Sequence, residues 1–150
     1  MKNRGFKYYL LTIAFAVSGI SAVPATAQQE NAGELIVEIS GAASNDGLIL
    51  WRMFASKSDF EEPEVGGIAE GSCKPVDGVC TFILPDLGFG DYAIMAGHDL
   101  DNDQEISKNP FSDERKGVTN YTEKMMWFPK FEKAKFNHAG PGTKISIMLF

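Results

Sequence analysis

The sequence has few of the residues on which redox, zinc or nucleophilic chemistry depends. Its 150 residues include two cysteines and two histidines. The cysteines are seven positions apart, so their spacing excludes a Cys-x-x-Cys redox motif. The chain also lacks Gly-x-Ser-x-Gly, His-Glu-x-x-His and phosphate-binding glycine motifs. Because no enzyme signature is present, we expect a protein that is not an enzyme.

Basic residues are in the minority. The chain has 14 lysines and arginines against 20 aspartates and glutamates, and three of the basic residues lie within the first 27 positions. The remainder of the chain is therefore distinctly acidic. An acidic surface disfavours nucleic-acid phosphates and anionic lipid and favours cations or basic partners, although solubility alone explains it equally well. We expect no nucleic-acid partner.

Long apolar runs are missing except near the first residue. Basic residues at positions 2–7 precede an apolar stretch over residues 8–23, and Ala25 and Ala27 then form a small-x-small pattern. This order is typical of a signal peptide over residues 1–27, cleaved after Ala27. The stretch is shorter than the ~20 apolar residues of a membrane span. We therefore expect one exported domain over residues 28–150, periplasmic or secreted, with no transmembrane segment after cleavage.

The two cysteines, Cys73 and Cys80, enclose a short segment that contains turn-forming residues. Pro75 and Asp77-Gly78 lie between them. An Asp-Gly pair favours a tight hairpin turn, which would bring the two sulfurs face to face. In an oxidising compartment, this arrangement predicts a disulfide that braces a hairpin.

Seven segments pattern as strands, with turn residues about every ten positions. Two segments are predicted as loops, residues 56–67 and residues 99–124. Phe60 is expected to turn inward from the first, and the second shows neither helical nor strand periodicity. No stretch shows helical periodicity. These features predict an all-β fold, an antiparallel seven-stranded Ig-like sandwich with one long loop, and a closed barrel is the alternative. The predicted strands cover residues 34–40, 48–54, 68–73, 79–84, 91–98, 131–136 and 143–150.

The densest chemistry follows the predicted strand over residues 91–98. Asp99, Asp101, Asp103 and Glu105 occupy alternate positions. Hard oxygen ligands at alternate positions of a tight turn can point at one ion, so this spacing predicts a metal site, with Ca²⁺ as its ion. An EF-hand is excluded because glutamine stands at position six of the loop, proline stands at position twelve, and no helices flank it.

Other arrangements of the same region stay open. Asp113 or Glu114 could complete the ligand set instead. A solvated acidic turn, whose side chains cap backbone amides, would need no ion at all. A zinc site would require His98 and His138 to converge with carboxylates, because no free thiols remain.

Residues 125–129 form a bulky apolar run, Met-Met-Trp-Phe-Pro, within an otherwise polar region. Such a run either fills one end of the sandwich or faces a partner. Filling the core is the favoured interpretation. If the run is exposed, Trp127 and Phe128 are the partner-binding residues, and the partner is a protein, a peptide or lipid.

Four features of the sequence occur together in one known family. They are a first strand ending at Gly41, Leu84-Pro85 with Gly90-Asp91-Tyr92-Ala93, His98-Asp99-x-Asp101-x-Asp103, and Phe131-Glu132-x-Ala134-x-Phe136. Over about residues 35–150 the chain therefore resembles the DUF2141 family of bacterial exported proteins, which supplies no established activity. The Gly90-Asp91-Tyr92-Ala93 stretch is also similar to the strand start of transthyretin-like sandwiches.

The acidic loop departs from the family pattern at several positions. Family members typically have Asn where this chain has Asp101 and Asp103, and this difference strengthens the prediction of a cation. Gln104 replaces a common glycine, and Ser107 replaces a common last aspartate. The missing glycine weakens the prediction, because a tight metal-binding turn favours it.

Two classes of function follow from these observations. The preferred one is an exported, non-catalytic β-sandwich module that is stabilised by Ca²⁺ and a disulfide. It would bind an envelope or extracellular component, such as a protein, through its long loop. The alternative is a metal-dependent hydrolase that uses metal-bound water at the acidic loop.

Overall fold

A computed structural model of the chain describes residues 31–63, 66–105, 113–123 and 129–150. Within these ranges the all-β prediction is confirmed, since strands dominate and helices are few and short. The predicted signal peptide lies outside the described residues. The elements are β1 (Ala32–Ser40), β2 (Leu48–Phe54), α1 (Lys57–Glu61), β3 (Ala69–Cys73), β4 (Val79–Gly88), β5 (Gly90–Asp99), β6 (Lys116–Val118), α2 (Phe131–Ala134), β7 (Phe136–His138) and β8 (Thr143–Met148).

The strands form two sheets. Sheet A has the order β4-β1-β8, and sheet B has the order β3-β2-β5-β6 with β7 also paired to β5. In sheet A, β1 and β8 run parallel, with Ile39 opposite Ile147. The prediction of a seven-stranded, wholly antiparallel Ig-like sandwich is therefore wrong, because the described residues form eight strands and sheet A is mixed. Alternation of apolar residues identifies the buried face of a strand but carries no information about its direction.

The hydrophobic core lies between the inner faces of the two sheets. Leu35, Val37 and Ile39 point inward from β1 and are fully buried, as their alternation predicted. Across the core, Trp51 of sheet B stacks on Phe82 of sheet A with ring centroids 4.1 Å apart and planes 6° apart. Burying each such side chain contributes about 1.5–3 kcal/mol, so this layer holds the two sheets together.

A second apolar cluster covers the outer face of sheet B. Alternate residues of β5, Ala93 and Met95, pack there against Phe60 of α1 and Phe131 of α2. Phe60 is turned inward as predicted, but it does so from a short helix capped by Ser56.

The second helix corrects another prediction. Residues 131–136 were expected to form one strand, but the first four of them form α2. Phe131 and Ala134 are buried on one face of this single turn because residues three apart lie on the same side of a helix.

The two cysteines join the sheets at one edge of the sandwich. Cys73 ends β3, the edge strand of sheet B, and Cys80 lies in β4, the edge strand of sheet A. Their Cα atoms are 6.2 Å apart, a disulfide distance. The predicted turn is present, since Asp77 and Gly78 both have positive φ, 53° and 78°, as a type I′ turn requires. The expectation of a brace within one hairpin is wrong, however, because the cysteines connect two different sheets.

Backbone hydrogen bonds close the opposite edge. Lys116 of β6 in sheet B donates to Phe150, which follows β8 of sheet A, and Phe150 donates back, at N to O distances of 3.3 and 3.1 Å. A Cβ at Gly117 would lie 2.3 Å from the Met148 carbonyl oxygen, so only glycine permits this close approach. Among the described residues, no helix is long and apolar enough to cross a membrane.

Candidate metal site

The acidic loop begins at Asp99, the buried last residue of β5. Asp99 is 1% exposed and is paired with Leu48 at the start of β2. Gly47 has a φ of 68°, and a Cβ there would lie 2.1 Å from the Asp99 carbonyl oxygen. Glycine at position 47 therefore allows the preceding loop to press against the backbone of Asp99, which fixes the base of the acidic loop.

The Asp99 carboxylate organises the residues that follow it. Its Oδ1 accepts a hydrogen bond from the amide of Asn102 at 2.7 Å, and its Oδ2 accepts one from the amide of Gln104 at 3.0 Å. Asn102 and Gln104 both have positive φ, 61° and 66°. The chain therefore coils around the carboxylate instead of continuing as a strand.

The next two aspartates repeat this pattern on a smaller scale. Asp101 Oδ1 accepts from the amide of Asp103 at 3.2 Å, and Asp103 Oδ1 accepts from the amide of Glu105 at 2.8 Å. This is the amide-capping turn that the sequence left open as an alternative. A carboxylate has about four lone-pair sites, so capping one amide leaves each aspartate able to bind a cation as well.

Four carboxylates converge above this turn. Asp99, Asp101, Asp103 and Glu114 each offer an oxygen, and these oxygens all lie within 4.8 Å of one another. Three of the four predicted ligands are thus brought together, and Glu114 completes the group as one of the two alternatives raised from the sequence. Glu105 is exposed and is not part of the group. The cluster can hold a metal ion.

Glu114 reaches the cluster from the segment before β6. Its Oε1 accepts a hydrogen bond from the amide of Leu100 at 3.3 Å. The backbone amide of His98 donates to the Arg115 carbonyl oxygen at 2.9 Å, which brings residue 114 alongside the end of β5. Glu114 joins the cluster because of this long-range backbone contact, which the local spacing of residues does not reveal.

His98 is a structural residue in this site. The amide of Ala43 donates to its Nδ1 at 3.0 Å, so Nε2 carries the proton and donates to the Asp46 carbonyl oxygen at 2.7 Å. Both ring nitrogens are occupied, and the ring is fully buried. His98 therefore holds the loop over residues 41–47 in place and does not act as a metal ligand.

The two histidines lie at opposite ends of β5. His138 pairs with Gly90 at the start of this strand, and its Nε2 lies 3.3 Å from the Leu87 carbonyl oxygen. His98 is near the end of the same strand. The convergent histidine and carboxylate set that a zinc site would need is therefore not formed by these two residues.

A separate surface network perturbs one carboxyl group. Asn137 donates to Asp91 Oδ1 at 2.9 Å, and Lys135 Nζ lies 3.0 Å from Asp91 Oδ2. These two contacts, the Asn137 hydrogen bond first, hold the pKa of Asp91 below its ordinary value. The network ties β7 and the residue after α2 to the start of β5, away from the acidic cluster.

The predicted partner-binding residues, Trp127 and Phe128, lie outside the described residues. The described chain resumes at Pro129, which lines a shallow groove on the outer face of sheet B with Phe60 and Met95. A second groove includes Gly33 and Asp86. Neither of these two grooves includes a residue of the acidic cluster.

The fold and the site define a class of protein: a two-sheet β-protein with a group of carboxylates where β5 ends. The chain belongs to the DUF2141 family, described as "Uncharacterized protein conserved in bacteria", which it matches over residues 37–146. This span contains the four clustered carboxylates and both cysteines. The resemblance recognised in the sequence is confirmed. No curated protein and no solved structure matches the chain.

Proposed function

We propose that this protein is an exported, non-catalytic β-sandwich module that is stabilised by Ca²⁺ at the acidic cluster. The observation that carries the proposal is the convergence of four carboxylate oxygens within 4.8 Å of one another. Four carboxylates this close repel one another, and a divalent cation between them relieves the repulsion. The unfolded chain lacks the convergent geometry, so the ion stabilises the folded state alone.

General coordination chemistry favours Ca²⁺ over Mg²⁺ at a cluster of this kind. Oxygens that share one Ca²⁺ at about 2.3–2.6 Å lie no more than about 5 Å apart, and the cluster satisfies this limit. Mg²⁺ demands octahedral geometry and gives up its water reluctantly, so we expect it to bind more weakly.

The test is thermal unfolding of the chelator-treated protein with and without Ca²⁺. At a free Ca²⁺ concentration of about a hundred times the Kd, the folded state gains about 2.7 kcal/mol, which raises the Tm by several degrees. Mg²⁺ at the same concentration should raise the Tm less. If millimolar Ca²⁺ leaves the melting curve unchanged, the loop is an amide-capping acidic turn and the proposal fails.

A matched pair of variants tests which glutamate takes part. Glu114→Gln should abolish most of the Ca²⁺ effect, because it removes one carboxylate of the cluster. Glu105→Gln makes the same chemical change on an exposed residue outside the cluster and should leave the effect intact. The opposite result would support the set predicted from the sequence and contradict the arrangement described above.

Export is part of the proposal. The cysteine pair at disulfide distance fits a protein outside the cytoplasm. The signal-peptide pattern of residues 1–27 supports a mature chain that begins at Gln28, in the periplasm or secreted. An intact mass that retains residues before Gln28 would contradict export by this route.

The last part of the proposal is a binding role, in which the protein binds an envelope or extracellular component. The long connection between β5 and β6 and the apolar run over residues 125–129 are the segments that would contact it. Trp127 and Phe128 are the proposed contact residues, on the condition that they do not fill the core. The hydrolase alternative would need a substrate groove beside the acidic cluster, and no residue of the cluster lines either of the two grooves described above.

A further inference from the structure

The loop over residues 41–47 contacts the turn that lies between the two cysteines. The amide of Ala42 donates to the Gly78 carbonyl oxygen at 3.1 Å. In return, the amide of Gly78 donates to Asn45 Oδ1 at 3.2 Å. Gly78 is central in the turn closed by Val76 and Val79, so the tip of the segment between Cys73 and Cys80 is fastened to this loop.

The same loop is fastened on its other side beside the acidic cluster. The buried ring of His98 bonds the amide of Ala43 and the carbonyl of Asp46, as described above. Arg115 Nη1 donates to the Gly41 carbonyl oxygen at 2.9 Å. His98 directly precedes one clustered carboxylate, Asp99, and Arg115 directly follows another, Glu114. The loop thus connects the cysteine pair to the bases of two proposed metal ligands.

We infer that the oxidation state of the Cys73 and Cys80 pair regulates the cation affinity of the acidic cluster through the loop over residues 41–47. The inference rests on the proposed Ca²⁺ function and adds its regulation. Reduction by an external dithiol transfers two electrons and two protons to the disulfide, giving two thiols, while the dithiol closes to its cyclic disulfide. The edge strands β3 and β4 then lose the only side-chain cross-link between the sheets among the described residues.

Loss of this link weakens ion binding through conformational entropy. The turn over residues 76–79 gains freedom, and its contacts with Ala42 and Asn45 hold it less firmly. The loop, His98 and Arg115 are then ordered at additional cost when the ion binds, and this cost subtracts from the binding free energy. Linkage requires the reciprocal effect, so the ion must make the disulfide harder to reduce by the same factor.

The experiment measures both sides of this linkage on the purified protein. Calorimetric titration with Ca²⁺ gives the Kd of the oxidised protein and of the protein held reduced by excess dithiol, with thiol labelling to confirm each state. Couplings of this kind are typically about 5-fold to 150-fold, so we expect reduction to weaken binding at least about 5-fold. The ratio of dithiol to cyclic disulfide at half-reduction should rise by the same factor when Ca²⁺, at a concentration that saturates both states, replaces a chelator.

The outcomes separate the two proposals. Equal Ca²⁺ affinity in both states, within about twofold, overturns the linkage and leaves the Ca²⁺ function standing. Absence of Ca²⁺ binding in both states overturns the Ca²⁺ function and the linkage with it.

A second test uses a variant of the oxidised protein, so that unfolding on reduction cannot account for the result. Asn45→Ala removes the side-chain acceptor of the Gly78 amide and leaves both cysteines and all four carboxylates in place. In the oxidised protein it should weaken Ca²⁺ binding and lower the redox dependence. Asn137→Ala is the matched control, since it makes the same chemical change in the network around Asp91, away from the acidic cluster, and its variant should bind Ca²⁺ as the parent does. Identical behaviour of the two variants would overturn the role of the Asn45 contact.

Discussion

Thr119 offers a sharp test of how the second apolar cluster is attached to sheet B. It is fully buried and follows β6. Its hydroxyl donates to the Ala134 carbonyl oxygen at 2.7 Å and accepts from the Ile94 amide at 3.1 Å. The side chain therefore joins the end of α2 to the middle of β5. Thr119→Val removes this hydroxyl while keeping the branched shape of the side chain.

The magnitude follows from the groups that lose their partner. The Ile94 amide is left without its hydroxyl acceptor, while the Ala134 carbonyl keeps a contact with Asn120 Nδ2 at 3.3 Å. An unsatisfied buried polar group costs about 1–3 kcal/mol, and the added methyl returns less than about 1 kcal/mol. We expect Thr119→Val to lower the free energy of unfolding by about 1–3 kcal/mol.

Urea denaturation measures this loss, and Thr119→Ser is the control. The serine variant keeps the hydroxyl and loses one methyl group, at a cost of about 0.8 kcal/mol. Hydrogen exchange at the Ile94 amide distinguishes the two causes, because it should accelerate in the valine variant much more than in the serine variant. A valine variant as stable as the parent would refute the reasoning, since the hydroxyl would then contribute nothing.

Two further predictions concern residues outside the acidic cluster. Trp127→Ala should lower the free energy of unfolding by about 3–5 kcal/mol if residues 125–128 fill the core, whereas a neutral change would assign Trp127 to the partner surface. Asn137→Ala should raise the pKa of Asp91 toward its ordinary value, because it removes the main contact that lowers it. A carboxyl group whose pKa is lowered on folding stabilises the fold at pH values above its pKa in the unfolded chain. This contribution is lost as the pH falls through its pKa in the folded protein. NMR follows the titration of Asp91. If the pKa of Asp91 is the same in the variant and the parent, the Asn137 hydrogen bond is not the cause of the lowered pKa.

The elements that could be predicted are those whose apolar pattern has a single interpretation. The alternation of Leu35, Val37 and Ile39 indicated a strand with one buried face, and β1 has that face in the core. Residues 92–99 of β5 are buried on both faces, and the strand lies in sheet B between β2 and β6 with apolar clusters on either side. Local side-chain pattern determines such strands because burial is their main source of stability.

The errors arose where distant parts of the chain decide the structure. Phe131, Ala134 and Phe136 fit a short helix followed by a strand as well as they fit one strand, and packing against Phe60 of α1 favours the helix. The direction of β8 depends on where residues 139–142 return the chain beside β1. The Asp77-Gly78 turn was recognised from its residues, but its cysteines joined two sheets because β3 and β4 pair with different neighbours.

The acidic cluster shows the same division between local and distant information. The fold brings together Asp99, Asp101 and Asp103, which alternate spacing had grouped, because each carboxylate caps an amide within the next few residues and so coils the chain around itself. That coiling displaces Glu105, the next residue of the series, to the solvent. The fourth carboxylate is Glu114, carried to the loop by the backbone bond between His98 and Arg115. A carboxylate supplied in this way depends on strand pairing, so loss of that pairing should weaken the proposed cation binding even when all four carboxylates are intact.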